Sequence, residues 1–600
     1  MKKILRVSHP QDFSSGFPVF ETLQKMKAKK SKSRMFPSRA SETGVIRKNP
    51  GGLIRVALVY PNAYSAGMSN LGFQTVYRLL NEMDHVVCER AFLPDAALTA
   101  PVRIRTEESG SPLSDFHVIA FSISFESDFP HILTVLESAG IPFASADRSE
   151  THPLIMAGGV ACFLNPEPIA DFADCFLLGE AEELLTPFFQ DFDPNANRRE
   201  MLRTLAQSIA GLYVPAFYRC AYREDGTLES FDPLCEVPQK IRRVFVKDIS
   251  QTKTCTTVLT ADTAFSNTWL VETGRGCAHG CRFCSAGYVY RPPRFRPANL
   301  LKDCMEEGSR HTDKIGLMGA AVSDLPGIGD LCAAYANRDI RISFSSLRAD
   351  ALTSQLVETL RQSKVKTATI APDAGSERMR RVINKGLCEA DILNAAEMLV
   401  ENGIGNIKLY FMIGLPTETE EDVVAIADLC GKIRERFLQS SRAKGRIGTI
   451  TVSLNTFVPK PVTPFQWAAM ETVQSIRQKQ KIIQTVLKKI PNVRLDHDAP
   501  RQAYFQALLS RGDRRLSQML LHLHENKGNW AKTVKESHVN TDFYVCRERN
   551  PDELFPWDFI DHRVKKSFLR GEYERALDSR PSPPCPMKES CDLCGVCRKC

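Results

Sequence analysis

Cys277, Cys281 and Cys284 stand at Cys-x3-Cys-x2-Cys spacing in the run Thr273-Gly-Arg-Gly-Cys-Ala-His-Gly-Cys-Arg-Phe-Cys-Ser-Ala-Gly-Tyr288. Three closely spaced thiolates on a Gly-containing loop can hold three irons of a cubane and leave the fourth iron open. A fully ligated cluster only passes electrons, whereas an open iron can bind a substrate. Zinc is the alternative, because His279 inside the loop offers a fourth tetrahedral ligand. The run Trp269-Leu-Val-Glu-Thr273 reads as a strand feeding straight into the loop, and helix-length segments follow. That setting favours the cubane.

With the aromatic Phe283 immediately before the third cysteine, the spacing resembles the signature of the radical S-adenosylmethionine (SAM) superfamily. The resemblance implies a 4Fe–4S cluster held by Cys277, Cys281 and Cys284. Its open iron would chelate the amino and carboxylate groups of SAM. One electron, from a donor such as flavodoxin or ferredoxin, would then cleave the sulfonium to a 5′-deoxyadenosyl radical, and the cofactor carries that chemistry.

A chain of 600 residues, 43% hydrophobic and 25% charged, can bury large cores and should form several domains. No run of about 18 apolar residues suggests a membrane span. Polar residues follow Met1-Lys-Lys-Ile-Leu-Arg6 instead of an apolar core, so it does not read as a signal peptide. Nineteen cysteines then suggest a reducing cytoplasm, with metal sites in preference to disulfides. The net charge of +8 is a property of the start: residues 1–50 hold 12 Lys and Arg against 3 Asp and Glu. Lys25–Arg34 reads as a solvated flexible tail, with nucleic-acid contact as the alternative.

Between residues 51 and 215, short apolar runs at 55–60, 86–92, 118–124, 154–157 and 175–178 alternate with helical stretches such as 73–83 and 129–139. The alternation predicts a doubly wound, Rossmann-like parallel sheet, with ligands at the carboxyl ends of its strands. Loops 61–70, Gly158-Gly159 and Gly179-Glu180 fall there. The run Gly158–Pro168, then Asp171, Asp174 and Gly179–Glu182, resembles the domain preceding many radical SAM barrels, which in a large subset binds cobalamin. The Asp-x-His-x-x-Gly motif is absent, so either cobalamin or a structural, substrate-docking role is expected. Residues 216–262 read as a small β connector.

From 263 to 490, strand-like runs at 269–273, 314–318, 341–345, 367–371, 406–412 and 449–454 alternate with helical segments. The series resembles the partial (β/α)6 barrel of the superfamily, whose working groups lie on loops after the strands. By that resemblance, Gly319 belongs to the loop facing the SAM amino group. Asp373, Ser376 and Arg378 lie in the ribose- and carboxylate-contacting segment, and Gly414 and Pro416 border adenine. The Arg378 fork suits a carboxylate. Otherwise Asp373 caps a helix and Arg378 makes a surface pair, while Gly414–Pro416 is a plain turn. Asn455–Trp467 reads as a rigid wall at the barrel mouth. With Gly67–Gly72 and Asn165–Pro168, it resembles one two-domain bacterial radical SAM family of unknown substrate.

Residues 491–584 read as a helical extension. Its basic turn, Arg511–Arg515, and its aromatics either grip RNA or pack against the barrel, the second being expected. In the tail, 585–600, Cys585, Cys591, Cys594, Cys597 and Cys600 signal a second metal site, four of the five holding an auxiliary iron–sulfur cluster or zinc. Three functions compete. They are hydrogen abstraction from an RNA, a protein or another substrate, cobalamin-dependent methyl transfer, and a non-catalytic scaffold or electron carrier.

Overall fold

A computed structural model describes residues 41–94, 103–335, 338–441, 448–588 and 590–597. Lys25–Arg34 and Cys600 lie outside the described residues.

The first sheet contains β1 (Ile54–Ala63), β2 (Val86–Leu93), β3 (Val118–Ser122), β4 (Leu154–Gly158), β5 (Cys175–Leu177) and β6 (Leu212–Tyr213). Their order is β2-β1-β3-β4-β5-β6, parallel except for β6. Val56–Tyr60 is buried throughout, as expected of a parallel strand covered on both faces. Strand order reverses between β1 and β3, the switch point where doubly wound sheets place ligands. There Asn70 caps the helix Leu71–Glu82 by accepting from the Phe73 amide, and its own amide donates to Ser124 Oγ at 2.9 Å.

Seven parallel strands follow in chain order. β7 (Trp269–Glu272), β8 (Lys314–Met318) and β9 (Arg341–Phe344) make one sheet. β10 (Thr367–Asp373), β11 (Asn406–Ile413), β12 (Ile450–Thr456) and β13 (Val493–His497) make the other. Phe344 and Leu347 pack against both cores and so bridge the break. In β11, buried Ile407, Leu409, Phe411 and Ile413 alternate with half-buried Lys408, Tyr410 and Met412. Period-two burial of this kind lines a barrel wall. The six anticipated strands are present, and β13 extends them. Its polar Arg494, Asp496 and His497 concealed it in the sequence.

After the barrel, the helices Pro500–Arg511, Leu516–Glu525 and Lys566–Leu577 share one core with the first sheet. The aromatics pack: Trp530, Phe555, Trp557 and Phe559 are buried, and Phe559 stacks on Phe231 at 4.3 Å. The arginines of the basic turn are engaged within the fold. Arg511 is buried against the Ala468 carbonyl, Arg514 pairs with Glu167 at 3.1 Å, and Arg515 pairs with Asp513 at 2.6 Å. The Asn455–Trp467 segment is packed against the C-terminal helices. Phe465 and Trp467 are buried, Trp467 lies over Tyr573, and Gln466 accepts from the Trp557 indole. In both cases a fold-back of the C-terminal helices, invisible to local pattern, uses the groups internally.

Candidate active site at the cysteine loop

Gly274–Arg275 pairs antiparallel with Arg294–Phe295 and closes the cysteine loop at its base. Gly276 has φ +82°, and a Cβ there would meet the Tyr290 carbonyl oxygen at 2.6 Å, so this turn requires glycine. The three thiols lie within electrostatic reach of one another. Burial is the main influence raising each of them, Cys281 to about 11. Opposing it, the His279 amide faces Cys277, and the Ala286 and Gly287 amides face Cys284. Lys385 and Arg348 place positive charge near Cys281. N–H donors and cations stabilise the thiolate form in which cysteine binds metal. The donor set thus fits an anionic iron–sulfur cluster.

His279 Nε2 lies 2.6 Å from Asp324 Oδ2. Among the described residues, no three His, Cys, Asp or Glu side chains converge as a single metal ion requires. A cubane is larger than one ion, so its thiols stand farther from their common centre.

Phe283 is half-buried against the main core. The Gly319 amide donates to Ser345 Oγ at 3.0 Å, and its carbonyl accepts from Ser345 and Ser346. A Cβ on Gly319 would lie 2.6 Å from Thr273 Oγ1, so the loop after β8 seats directly on the end of β7. Asp373, in the left-handed region at φ +61°, pairs with Lys385 at 2.5 Å. The helix Glu377–Val382 is capped instead by Ser376, which accepts from the Met379 amide at 3.0 Å. Arg378 pairs with Asp422 and donates to the Thr417 carbonyl at 2.7 Å, while Ser376 Oγ donates to Asp422 at 2.5 Å. Gly414, at φ +80°, donates its amide to Glu418, and half-buried Pro416 follows in the same turn. Ser376→Ala is expected to remove the cap and lower stability by about 1 kcal/mol in urea unfolding.

Sequence reasoning missed the charges that tie the loop to the first sheet. Arg275, two residues before Cys277, reaches Glu180 at 2.9 Å, Glu182 at 2.6 Å and Glu272 at 3.1 Å. Arg294 reaches Glu180 at 2.7 Å. The one signal was acidic residues in the loop after β5, where ligands of such sheets lie. A cavity of 530 Å³ occupies the space between. Its mostly apolar wall runs from Ala120, Met156 and Leu177 of the sheet to Gly276, Ala286 and Ala320 beside the cysteine loop. The carboxyl end of the sheet and the residues flanking the cysteine loop therefore line the same space.

The model described as Radical SAM superfamily matches residues 271–430, and that described as Radical SAM proteins, N-terminal, matches residues 72–215. An uncharacterized protein of Methanocaldococcus jannaschii is 30% identical over 471 residues, 78% of this chain and 90% of its own length. The chain belongs to the radical SAM superfamily. It is an enzyme of the radical SAM class, which works with a 4Fe–4S cluster and SAM and needs a reductant. A tRNA-2-methylthio-N(6)-dimethylallyladenosine synthase of Lachnoclostridium phytofermentans is 23% identical over 201 residues, 31% of this chain and 44% of its own. The radical SAM methyltransferase TsrM of Kitasatospora setae, solved with cobalamin and a 4Fe–4S cluster bound, aligns at 11% identity and TM-score 0.48 over 88% of this chain and 99% of its own. No helix among the described residues is long and apolar enough to cross a membrane.

Beside the cavity, past Ser124 and Phe125, Asp128 is 3% exposed. Asn62 donates to its Oδ1 at 2.8 Å, while Oδ2 has no partner. Burial, against the lowering Asn62 hydrogen bond and with a smaller push from the Glu126 charge, raises this carboxyl to about 7. A raised carboxylate contributes stability in full below its unfolded value of 3.8 and loses it as pH rises through about 7. Asp128→Asn is therefore expected to stabilise the protein more at pH 8 than at pH 4, by on the order of 3–4 kcal/mol. Urea midpoints at the two pH values measure the difference.

Proposed function

We propose that this chain reductively cleaves SAM and uses the resulting 5′-deoxyadenosyl radical to abstract hydrogen from a substrate. The observation that carries the reading is the set of three thiols on one loop, faced by backbone amides and by Lys385 and Arg348. When bound there through Cys277, Cys281 and Cys284, a 4Fe–4S cluster supplies one electron to the sulfonium, giving methionine and the radical. The residues hold and shape the site. Ser345 and Ser346 pin the Gly319 loop, and Lys385 holds Asp373 beside Cys281. Half-exposed Arg378, already on Asp422, supplies a planar fork for the SAM carboxylate or ribose side. Gly414 and Pro416 form the turn proposed to border adenine. The radical takes one hydrogen atom from substrate and leaves as 5′-deoxyadenosine. Anaerobically reconstituted protein, given SAM and dithionite, is expected to release that product. Reconstituted protein that releases none would overturn the reading.

The cavity favours a second reading, cobalamin-dependent methyl transfer, because a cofactor at the sheet's switch point would face the cysteine loop. None of its lining residues is a histidine, so cobalamin would bind without an imidazole from that wall. Expression with hydroxocobalamin should then yield corrinoid absorbance that Met156→Arg, which fills the cavity, removes. Colourless protein would contradict this reading and leave the first standing.

A further inference from the structure

The C-terminal cysteines form a second thiol set beside the first. Cys597 lies within electrostatic reach of Cys594, Cys585 and Cys591. All four belong to the described residues. Arg291 donates to the Cys594 thiol and faces Cys585 and Cys597, while its Nε donates to the Gly287 carbonyl, three residues beyond Cys284. One cation thus touches both cysteine segments.

The tail is bound to the first loop at three further points. The Cys585 amide donates to the Ala278 carbonyl at 2.7 Å, one residue from Cys277. Asn384 donates to the Gly280 carbonyl at 3.1 Å and accepts from the Ser582 amide at 2.8 Å. Fully buried Arg282, between Cys281 and Phe283, donates to the Arg580 carbonyl at 2.7 Å and to Ser582 Oγ at 3.2 Å. Further out, the Lys565 amide donates to the Cys594 carbonyl at 2.8 Å. Gly595, at φ +93°, would bring a Cβ within 3.0 Å of the Arg563 carbonyl oxygen, so the tail packs as closely as its backbone allows.

We infer that Cys585, Cys591, Cys594 and Cys597 hold an auxiliary iron–sulfur cluster that relays electrons to the cysteine loop through the Cys585–Ala278 hydrogen bond. Four thiols complete a cubane, so this cluster has no open iron and only passes electrons. Among the described residues, these side chains form no group that could hold a single metal ion. The relay rests on the SAM-cleaving reading; the metal site does not. One electron leaves a low-potential donor of the flavodoxin or ferredoxin class. It reduces the auxiliary cluster, passes to the first cluster and ends on the sulfonium, so each turnover consumes one reduced donor.

Iron, sulfide and zinc counts on the reconstituted full chain test the site. Wild type and Cys600→Ala are each expected to hold about eight irons. Cys591→Ala/Cys594→Ala/Cys597→Ala, and separately Cys277→Ala/Cys281→Ala/Cys284→Ala, should each hold about four. About four irons in wild type, zinc in the tail, or a loss of about four irons from Cys600→Ala would overturn the assignment. These wild-type and Cys600→Ala counts decide the matter even if the tail triple variant misfolds. For the relay, Cys597→Ser should lower the flavodoxin-driven rate of 5′-deoxyadenosine release at least about tenfold more than the dithionite-driven rate. Equal rates with both reductants relative to wild type would contradict the relay. Eight irons with no SAM cleavage by any variant would sink the proposed function and leave the auxiliary site intact.

Discussion

Cys277→Ala is expected to abolish 5′-deoxyadenosine release from SAM and dithionite, down to the level without protein. The expected loss is the whole acceleration, at least about 10⁶-fold. No other group of the loop can replace the thiol. His279 Nε2 is held by Asp324, and the tail thiols are assigned to the second set. Cys281→Ala and Cys284→Ala should behave alike, because two thiols cannot hold the cubane with one iron open. Iron content should fall by about four per chain in each case, while the auxiliary site retains its metal. Product analysis alongside the iron count separates loss of the cluster from loss of the fold. A variant with unchanged product would contradict the role assigned to the loop.

Glu180→Gln is expected to destabilise the protein by about 3–5 kcal/mol, the usual result of removing one partner from a buried ion pair. Arg294 and Glu180 are almost wholly buried, and Glu180 also accepts from Arg275 and from the Val246 amide. Burial pushes the Glu180 carboxyl up, but the Arg294 hydrogen bond and the charges of Arg275 and Arg294 outweigh it and hold the group below its ordinary 4.5. A depressed carboxylate contributes stability above its unfolded value and loses it as pH falls through the folded one. Wild type should therefore lose part of its stability below about pH 4.5, and Glu180→Gln should flatten that decline. Urea unfolding at several pH values reports both effects. The same substitution removes one of the two carboxylates by which the segment after β5 holds Arg275, so SAM cleavage should fall even where the variant remains folded.

Much of the architecture was readable because the strands of a covered parallel sheet are short apolar runs. Val56–Tyr60, Ile315–Leu317 and Ile407–Ile413 announce themselves by composition or period. The cysteine loop was readable because metal chemistry constrains spacing within a few residues. Contacts between distant segments were not readable. Nothing near Arg511 indicates that the Ala468 carbonyl will receive its guanidinium, and nothing near Asn384 indicates a bridge between Gly280 and Ser582. For the same reason Lys385 and Arg348 were overlooked beside Cys281. Only tertiary folding brings them to the thiol.

The central claim is that three thiols leave one iron free for SAM. Electron–nuclear double resonance on the reduced full chain, with SAM labelled at its amino nitrogen and carboxylate oxygens, addresses it directly. The account predicts couplings from both labels to the cluster, retained in the tail triple variant and absent in Cys277→Ala. A wild-type cluster that forms and reduces yet shows coupling to neither label would contradict it.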